Sequence, residues 1–208
     1  MKVYIWDLLP YGAHFDQYKP DRYLPYPLSR QHFDPEIAAR TYEQHLEAWR
    51  EMDRLGFDGV GLNEHHTTPH GLMNTPNMMA AVGAQHTKNL KFLMLGNLLP
   101  LHNPLTVAEH VAMADCLSRG RVMAGFARGI PREYRAYNIP MSESRARFEE
   151  AFDIILKAWT AETFSHEGRF WNFKDVAIWP RPYQRPHPPL WVPFTGSKET
   201  IDWAANHD

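Results

Sequence analysis

Short apolar runs alternate along this chain with longer segments in which apolar residues recur every three or four positions. The short runs predict five buried strands, which lie at residues 3–9, 60–62, 90–99, 121–126 and 189–194. The longer segments predict helices, which lie at about residues 34–56, 75–86, 104–117 and 142–159, with another beginning at Ser197. This strict alternation favours a parallel sheet and therefore an α/β fold.

The second predicted strand ends in three titratable side chains, Glu64, His65 and His66. In parallel α/β folds the loops at this end of the strands converge on one face, where ligands and catalytic groups lie. A carboxylate and two imidazoles there predict an acid–base site, although a polar loop without chemistry is the simpler alternative. Side chains alternate along a strand, so only one histidine can face the site if the strand continues through both.

Three arginines lie at positions that indicate a bound anion. Arg128 follows the fourth predicted strand, and Arg145 and Arg147 lie in the first turns of the next helix, where the helix dipole disfavours cations. Ser197 and Thr200 begin the helix after the fifth strand, where free backbone N–H groups favour an anion. These groups predict a phosphate site; in the alternative interpretation, neighbouring glutamates neutralise the arginines.

Two connections are longer than the usual loops of such folds. Residues 10–33 follow the first strand, so they are expected on the catalytic face, either as a lid or as a loop packed by its own aromatic residues. Those aromatic residues are Tyr11, Phe15, Tyr18, Tyr23, Tyr26 and Phe33. Residues 161–188 follow a helix and are expected on the opposite face, with a hairpin at 164–173 and a stiff, proline-rich remainder.

Composition narrows the range of partners. The chain has 208 residues and a formal net charge of −2, which gives no electrostatic case for nucleic acid or an anionic membrane. A single cysteine, Cys116, rules out an internal disulfide, and its apolar helical surroundings favour a core role. No apolar run approaches the length of a membrane span and no signal peptide is apparent, so the cytoplasm is the expected location.

The motifs together resemble the bacterial luciferase-like family of flavin-dependent monooxygenases, whose members are TIM-type (β/α)₈ barrels. Four segments carry the resemblance, in matching order: GFDGVGLNEHH (56–66), LGNLLPLHNPLTVAEHVAMADCLSRGRVMAGFARG (95–129), SRARFEEAFDIILKAW (144–159), and FSHEGRFWNF through WPRPYQRPHPPLWV (164–192). The match is specific to the family and not to a substrate.

The resemblance implies an enzyme that binds reduced FMN, adds O2 to form a flavin peroxide and oxidises a small organic substrate. It also implies a separate flavin reductase as partner, and a homodimer or heterodimer. Three alternatives stay open: a deazaflavin cofactor on the same rim, a non-catalytic flavin-binding subunit, and a metal-dependent barrel hydrolase. The hydrolase would use Glu64, His65, His66 and His70, although adjacent histidines are poor metal ligands.

The resemblance also assigns roles to residues. The catalytic group is His65, with Glu64 and His66 beside it, and no metal ligand is expected in this role. Cofactor-binding positions are Leu95, Gly96, Asn97, Arg128, Arg145, Gly196, Ser197 and Thr200, with a non-prolyl cis peptide expected at Leu95–Gly96. The sequence departs from luciferase at two of its cofactor-pocket positions: Ala127 replaces a reactive cysteine, and Gly196 replaces a glutamate.

The largest difference between this sequence and the family is its length. The sequence ends in the helix after the fifth predicted strand, whereas the barrel needs three more strands. We therefore expect residues 1–208 to be one luciferase-like barrel domain that is incomplete at its C-terminus, from a fragment or a truncated gene product. Five strands would leave an open sheet with two exposed edges, so a full-length version should be more stable.

Overall fold

The computed structural model describes residues 1–12, 27–194 and 196–207. Local sequence signals set the boundaries of its helices, as the first helix shows. The Asp34 carboxylate accepts a hydrogen bond from the Glu36 N–H at 2.9 Å, Pro35 occupies the first helical position, and Gly56 ends the helix at a φ of +81°. The predicted helix at 34–56 is thereby confirmed almost residue for residue.

Seven strands and six α-helices make up the described part of the chain. The strands are β1 (Tyr4–Asp7), β2 (Gly59–Leu62), β3 (Lys91–Leu98), β4 (Val122–Ala127), β5 (Phe164–Glu167), β6 (Asn172–Val176) and β7 (Leu190–Trp191). The helices are α1 (Pro35–Leu55), α2 (Pro76–His86), α3 (Pro104–Ser118), α4 (Pro131–Tyr137), α5 (Ser144–Thr160) and α6 (Lys198–Ala205). No helix of these described residues is both long and apolar enough to cross a membrane.

Five strands form one parallel sheet in the order β1-β2-β3-β4-β7, which confirms the predicted α/β fold and sequential strand order. Within the described residues the sheet is open, with β1 and β7 at its edges. The helices cover one face, where aromatic side chains form the centre of the core. Trp49 of α1 packs edge-on against Phe92 of β3, and Phe152 of α5 packs edge-on against Phe126 of β4.

The opposite face of the sheet carries large side chains on β1 and glycines on β2. A Cβ atom on Gly61 would lie 2.8 Å from the Trp6 ring, and one on Gly59 would lie 2.7 Å from the Tyr4 ring. These two glycines therefore give β1's aromatic rings room to lie across β2. The alternation places Asn63 and His65, further along the chain, on this same side if the strand geometry continues.

The long connections follow the sequence predictions where the structure describes them. Strands β5 and β6 form the antiparallel hairpin expected in the 161–188 segment. The rest of that segment reaches the N-terminal end of β4, where the Gln184 side chain donates to the Val122 carbonyl at 2.9 Å. Most of the aromatic connection at 10–33, residues 13–26, lies outside the described residues, so its role as a lid stays a prediction.

The clearest differences from the sequence predictions are two element boundaries and one additional helix. The strand expected at 189–194 is shortened to the two residues of β7, and the helix expected from Ser142 begins at Ser144 after a 3-10 turn at Met141–Glu143. The seven-residue helix α4 was not predicted, because two turns are too short to show an apolar periodicity. This short helix follows β4 directly and reaches the functional site.

Candidate active site

A cavity of about 350 Å³ opens at the C-terminal end of the parallel sheet. It brings together most of the side chains that the sequence assigned to a site, although they come from distant parts of the chain. The predicted residues that line it are Glu64, His65, Leu95, Gly96, Arg128, Arg145, Ser197 and Thr200. His66, Asn97 and Gly196 do not line it. The common rim for His65 and Arg128 is the arrangement that the sequence predicted.

A buried carboxylate orients the His65 imidazole. Nδ1 of His65 lies 3.0 Å from Oε1 of Glu133, whose side chain is fully buried, and a carboxylate can only accept hydrogen bonds, so Nδ1 carries the proton. Glu133 is itself fixed by the backbone N–H of Ile130, 2.8 Å from Oε2. Nε2 of His65 is then the nitrogen with a lone pair, and it is suited to accept a proton within the cavity.

Sequence reasoning missed Glu133, although a local signal was present. Pro131 and Glu133 occupy the first and third positions of α4, the pattern of a helix N-terminus in which the glutamate accepts the N-cap N–H. That signal predicts the helix and the hydrogen bond to Ile130. It does not predict the contact with His65, which lies 68 residues earlier in the chain.

Glu64 and His66 belong to a second polar group, of which Glu64 borders the cavity and His66 does not. Oε1 of Glu64 accepts hydrogen bonds from Nε2 of His66 at 2.7 Å and Nε2 of His102 at 2.5 Å. Oε2 of Glu64 accepts the Leu98 N–H at 3.2 Å, and the Tyr137 hydroxyl lies 2.9 Å from Nδ1 of His66. Glu64 and His66 are both buried and engaged in this network, and their catalytic role stays a prediction.

The network pairs a buried carboxylate, Glu64, with a partly exposed imidazole, His102. Burial alone would raise the pKa of Glu64, but hydrogen bonds and charge from His102 and His66 outweigh it and hold that pKa below its usual value. Burial would likewise lower the pKa of His102, but the Glu64 carboxylate reverses this and raises it. The three groups thus favour an ionised carboxylate beside a protonated imidazole.

This network is also the cluster whose geometry could hold a metal ion. Within the described residues, one ligand atom each from Glu64, His66 and His102 lie within 4.8 Å of one another. The set differs from the one considered for a hydrolase, because His65 instead faces Glu133 and packs edge-on against His70. Direct hydrogen bonds already satisfy both carboxylate oxygens of Glu64, so the geometry favours an ion-paired cluster.

The far side of the cavity presents donors for an anion. The Arg128 guanidinium has no ion-pair or hydrogen-bond partner among the residues described. Arg145 lies 3.4 Å from the Thr200 hydroxyl, and the Ser197 hydroxyl caps the N-terminus of α6. Arg145 also lies 3.4 Å from the carboxylate of Glu199 and 3.5 Å from that of Glu149, but these glutamates are 85% and 43% exposed, and such surface pairs are weak. Two guanidinium groups, two hydroxyls and a helix N-terminus match the chemistry of a phosphate monoester.

Gly196 contributes only its backbone to this region. Its φ of +116° lies in the range that favours glycine, and no atom would meet a Cβ there. The glycine therefore shapes the turn into α6 and provides no side chain toward the cavity.

The Leu95–Gly96 peptide on β3 is cis, as the resemblance implied. Close packing excludes a side chain at Gly96, because a Cβ atom there would lie 2.7 Å from that of Ala127. Asn97, which was predicted to contact the cofactor, does not line the cavity. Its amide donates to the Gly125 carbonyl at 3.2 Å and accepts from the Asn77 side chain at 2.6 Å, so it joins β3 to β4 and α2.

Asn63 is a lining residue that sequence reasoning passed over. It is 2% exposed and borders the cavity, and neither its amide nitrogen nor its amide oxygen has a hydrogen-bond partner in the part of the chain that the structure describes. Buried polar groups in proteins are nearly always paired, and leaving one unpaired costs about 1–3 kcal/mol. The lack of hydrogen-bond partners depends on how the fold buries Asn63, so no sequence pattern predicts it.

Fold and site together define an α/β protein with a cavity at the C-terminal end of a parallel sheet, lined by an oriented histidine and by two arginines. The chain belongs to the luciferase-like monooxygenase family, whose model matches residues 26–207. This confirms the resemblance seen in the sequence.

Relatives with known activities are similar over much of the chain. The oxygenase component of the flavin-dependent trigonelline monooxygenase of Acinetobacter baylyi is 30% identical over 162 residues, covering 76% of this chain and 45% of that protein. The crystal structure of monooxygenase RslO1 from Streptomyces bottropensis matches all of this chain and 57% of its own, with a TM-score of 0.80 and 30% identity.

A further structural neighbour contains a bound cofactor. The oxygenating constituent of 3,6-diketocamphane monooxygenase from Pseudomonas putida, solved in complex with FMN, has a TM-score of 0.72 and 21% identity, covering 92% of this chain and 51% of that one. At this identity the likeness supports the fold alone. The chain spans 36% to 51% of the length of the first curated relatives that it matches.

Proposed function

We propose that this protein takes part in a flavin-dependent monooxygenase reaction, in which reduced FMN binds in the 350 Å³ cavity and O2 oxidises a small organic substrate. The observation that carries the proposal is the pairing of an oriented imidazole with a phosphate-type donor set in one cavity. Family membership and the flavin-dependent relative support the same conclusion. Bound reduced flavin would supply the electrons that activate O2.

The phosphate end of the cofactor would be held by the donors on the far side of the cavity. Arg128 and Arg145 would supply charge, and Ser197 and Thr200 would supply hydroxyl groups beside the N-terminus of α6. Arg128 is the stronger candidate for a direct ion pair, because no protein carboxylate in the described residues competes for it.

His65 would move a proton in the reaction. Glu133 holds Nδ1 protonated, so Nε2 can take a proton at the cavity wall while the buried carboxylate stabilises the imidazolium that forms. Glu133 thus acts through His65 as a positioning residue. His66 would have no direct part, because Glu64 and Tyr137 occupy both of its ring nitrogens.

The partner proteins are inferred from the family and not from the geometry of the site. We propose that a separate flavin reductase supplies reduced FMN, in keeping with the relative that is an oxygenase component, and that the active unit contains a second chain of this type. A deazaflavin remains the alternative cofactor, because its phosphate would use the same donors.

The arginines provide the test of the cofactor proposal. Arg145→Ala should weaken FMN binding by about 1.5–3 kcal/mol, or roughly 10- to 100-fold, because a charge-assisted hydrogen bond is lost. Riboflavin, which lacks the phosphate, should bind the variant and the wild type almost equally. Both affinities can be measured by quenching of flavin fluorescence, with a deazaflavin coenzyme titrated in parallel.

Arg147→Ala is the matched control, because Arg147 lies on the same helix but pairs with Glu143 at 2.9 Å outside the cavity. It should leave the ratio of FMN to riboflavin affinity unchanged. Equal loss of riboflavin binding in Arg145→Ala would show that this arginine is structural. Tight binding of the deazaflavin coenzyme without FMN binding would replace the cofactor.

A further inference from the structure

Asn63 places an unpaired amide in the wall of the cavity. It directly follows β2 and lies two residues before His65, and its side chain is 2% exposed. Within the described residues, neither Nδ2 nor Oδ1 makes a hydrogen bond. The side chain therefore offers both donors and an acceptor in a place from which bulk water is largely excluded.

The packing around Asn63 keeps the amide in this place. A Cβ atom on Gly71 would lie 3.0 Å from Nδ2 of Asn63, so the loop backbone closes one side of the amide. The neighbouring polar groups are already engaged: Glu64 with His66 and His102, and His65 with Glu133. Since an unpaired buried amide destabilises the protein that contains it, a ligand that pairs with it would offset that cost.

The position of Asn63 relative to the phosphate donors indicates which part of a ligand it meets. Asn63 follows β2, whereas Ser197 and Thr200 follow β7, and strands β3 and β4 lie between them in the sheet. Three inter-strand spacings of about 4.8 Å separate the two positions by roughly 14 Å. A ligand held at its phosphate on one side would therefore present its opposite end to Asn63.

We propose that Asn63 recognises the imide edge of the flavin ring, where an N–H donor lies between two carbonyl acceptors. The amide of asparagine is complementary to such an edge, because its Oδ1 accepts from the N–H while its Nδ2 donates to a carbonyl. This inference rests on the proposed function. It adds a residue that reads the ring of the cofactor to the residues that hold the phosphate. An amide or carbonyl group of the substrate has the same chemistry, and the experiment separates the two sources.

The first arm of the experiment compares the wild type with Asn63→Leu, which keeps the size of the side chain and removes its polar atoms. FMN and riboflavin should both bind the variant about 10-fold more weakly, because the imide is common to both. In the absence of flavin, Asn63→Leu should unfold at the same or a higher urea concentration, since an unpaired buried amide has been removed. A residue with only a structural role would instead lose stability without a loss of flavin affinity.

The second arm changes the ligand and uses riboflavin methylated at the imide nitrogen. The wild type should bind this analogue about 10-fold more weakly than riboflavin, and Asn63→Leu should bind the two almost equally. Asn63→Ala serves as a second variant if the leucine cannot be accommodated. Unchanged flavin affinity in both variants, or affinity lost only for an organic substrate, would overturn the inference.

The outcome for Arg145 separates this inference from the proposed function. If Arg145→Ala discriminates FMN from riboflavin while the Asn63 variants bind both flavins normally, only the inference is wrong. If the wild type binds neither flavin, the proposed function and the inference are both wrong.

Discussion

Two glutamate–histidine groups lie on opposite sides of the chain just after β2, and their surroundings differ. His65 and Glu133 meet at the cavity, with the histidine side chain 21% exposed and one ring nitrogen free of protein hydrogen bonds in the described residues. Glu64, His66 and His102 meet beside it, where Oε1 of Glu64 accepts from a ring nitrogen of each histidine and the His102 side chain is 29% exposed. The same residue types thus meet in two arrangements: in one, a single histidine keeps a ring nitrogen free at the cavity, and in the other, two histidines share one carboxylate, which itself borders the cavity.

The largest effect that tests the difference between the two groups is expected on turnover when His65 is replaced. In a complete enzyme, His65→Ala should cut turnover by about 10²–10⁴, the usual contribution of general acid–base catalysis, and leave reduced-FMN binding within a few-fold. His66→Ala should destabilise the fold by about 1–3 kcal/mol, because Glu64 loses a buried partner. Turnover would be followed as O2 consumption with reduced FMN supplied by a reductase. Normal turnover in His65→Ala with a loss in His66→Ala would reverse the two assignments.

A smaller effect on the same pair is expected from Glu133→Gln. The glutamine keeps the shape of the side chain but no longer stabilises a charged imidazole, so turnover should fall about 10-fold and its dependence on pH should shift. FMN affinity should stay unchanged, because Glu133 contacts His65 rather than the phosphate donors. A loss of stability with unchanged turnover per folded molecule would make Glu133 a structural cap of α4 only.

The smallest effect concerns the pH dependence of stability that the Glu64, His66 and His102 network contributes. The raised pKa of His102 contributes stability that is full below its ordinary value of 6.5 and is lost as pH rises through the folded-state pKa. The lowered pKa of Glu64 contributes stability that is full above its ordinary value of 4.5 and is lost as pH falls through the folded-state pKa. Both contributions are therefore complete between about pH 4.5 and 6.5.

His102→Gln should lose about 1 kcal/mol of unfolding free energy near pH 5.5, and the difference from the wild type should shrink as the pH rises above neutrality. Urea unfolding at a series of pH values measures this difference. A constant difference across the series would show that His102 contributes by packing and not by charge.

Periodicity and end signals made most of the fold predictable. The Asp34–Pro35 start and the Gly56 stop located α1, and the apolar runs located the strands of the parallel sheet in their order. The family motifs also placed His65 and Arg128 on one cavity. Roles for these residues remain predictions, since the geometry shows their positions and not their chemistry.

The features that could not be predicted depend on three-dimensional contacts, which the pattern of residues along the sequence does not show. Strict alternation would turn Asn97 to the same face as Leu95, but the register between β3 and β4 shifts between Met94 and Asn97, so Asn97 points to α2. Glu133 was missed because its partner is distant in sequence. The lack of hydrogen bonds to the Asn63 amide can be recognised only from the positions of the atoms around it.

The interlock between Trp6 and Gly61 has a consequence for how this cavity could diversify. Trp6 borders the cavity, and its ring occupies the space that a side chain at position 61 would need. Substitutions at these two positions therefore depend on each other. A larger residue at position 61 on β2 requires a smaller one at position 6 on β1, and a large residue at position 6 requires a small one at position 61. Such a reciprocal pair lets relatives or engineered variants change the volume of the cavity by about one aromatic ring, without altering His65, Arg128 or Arg145.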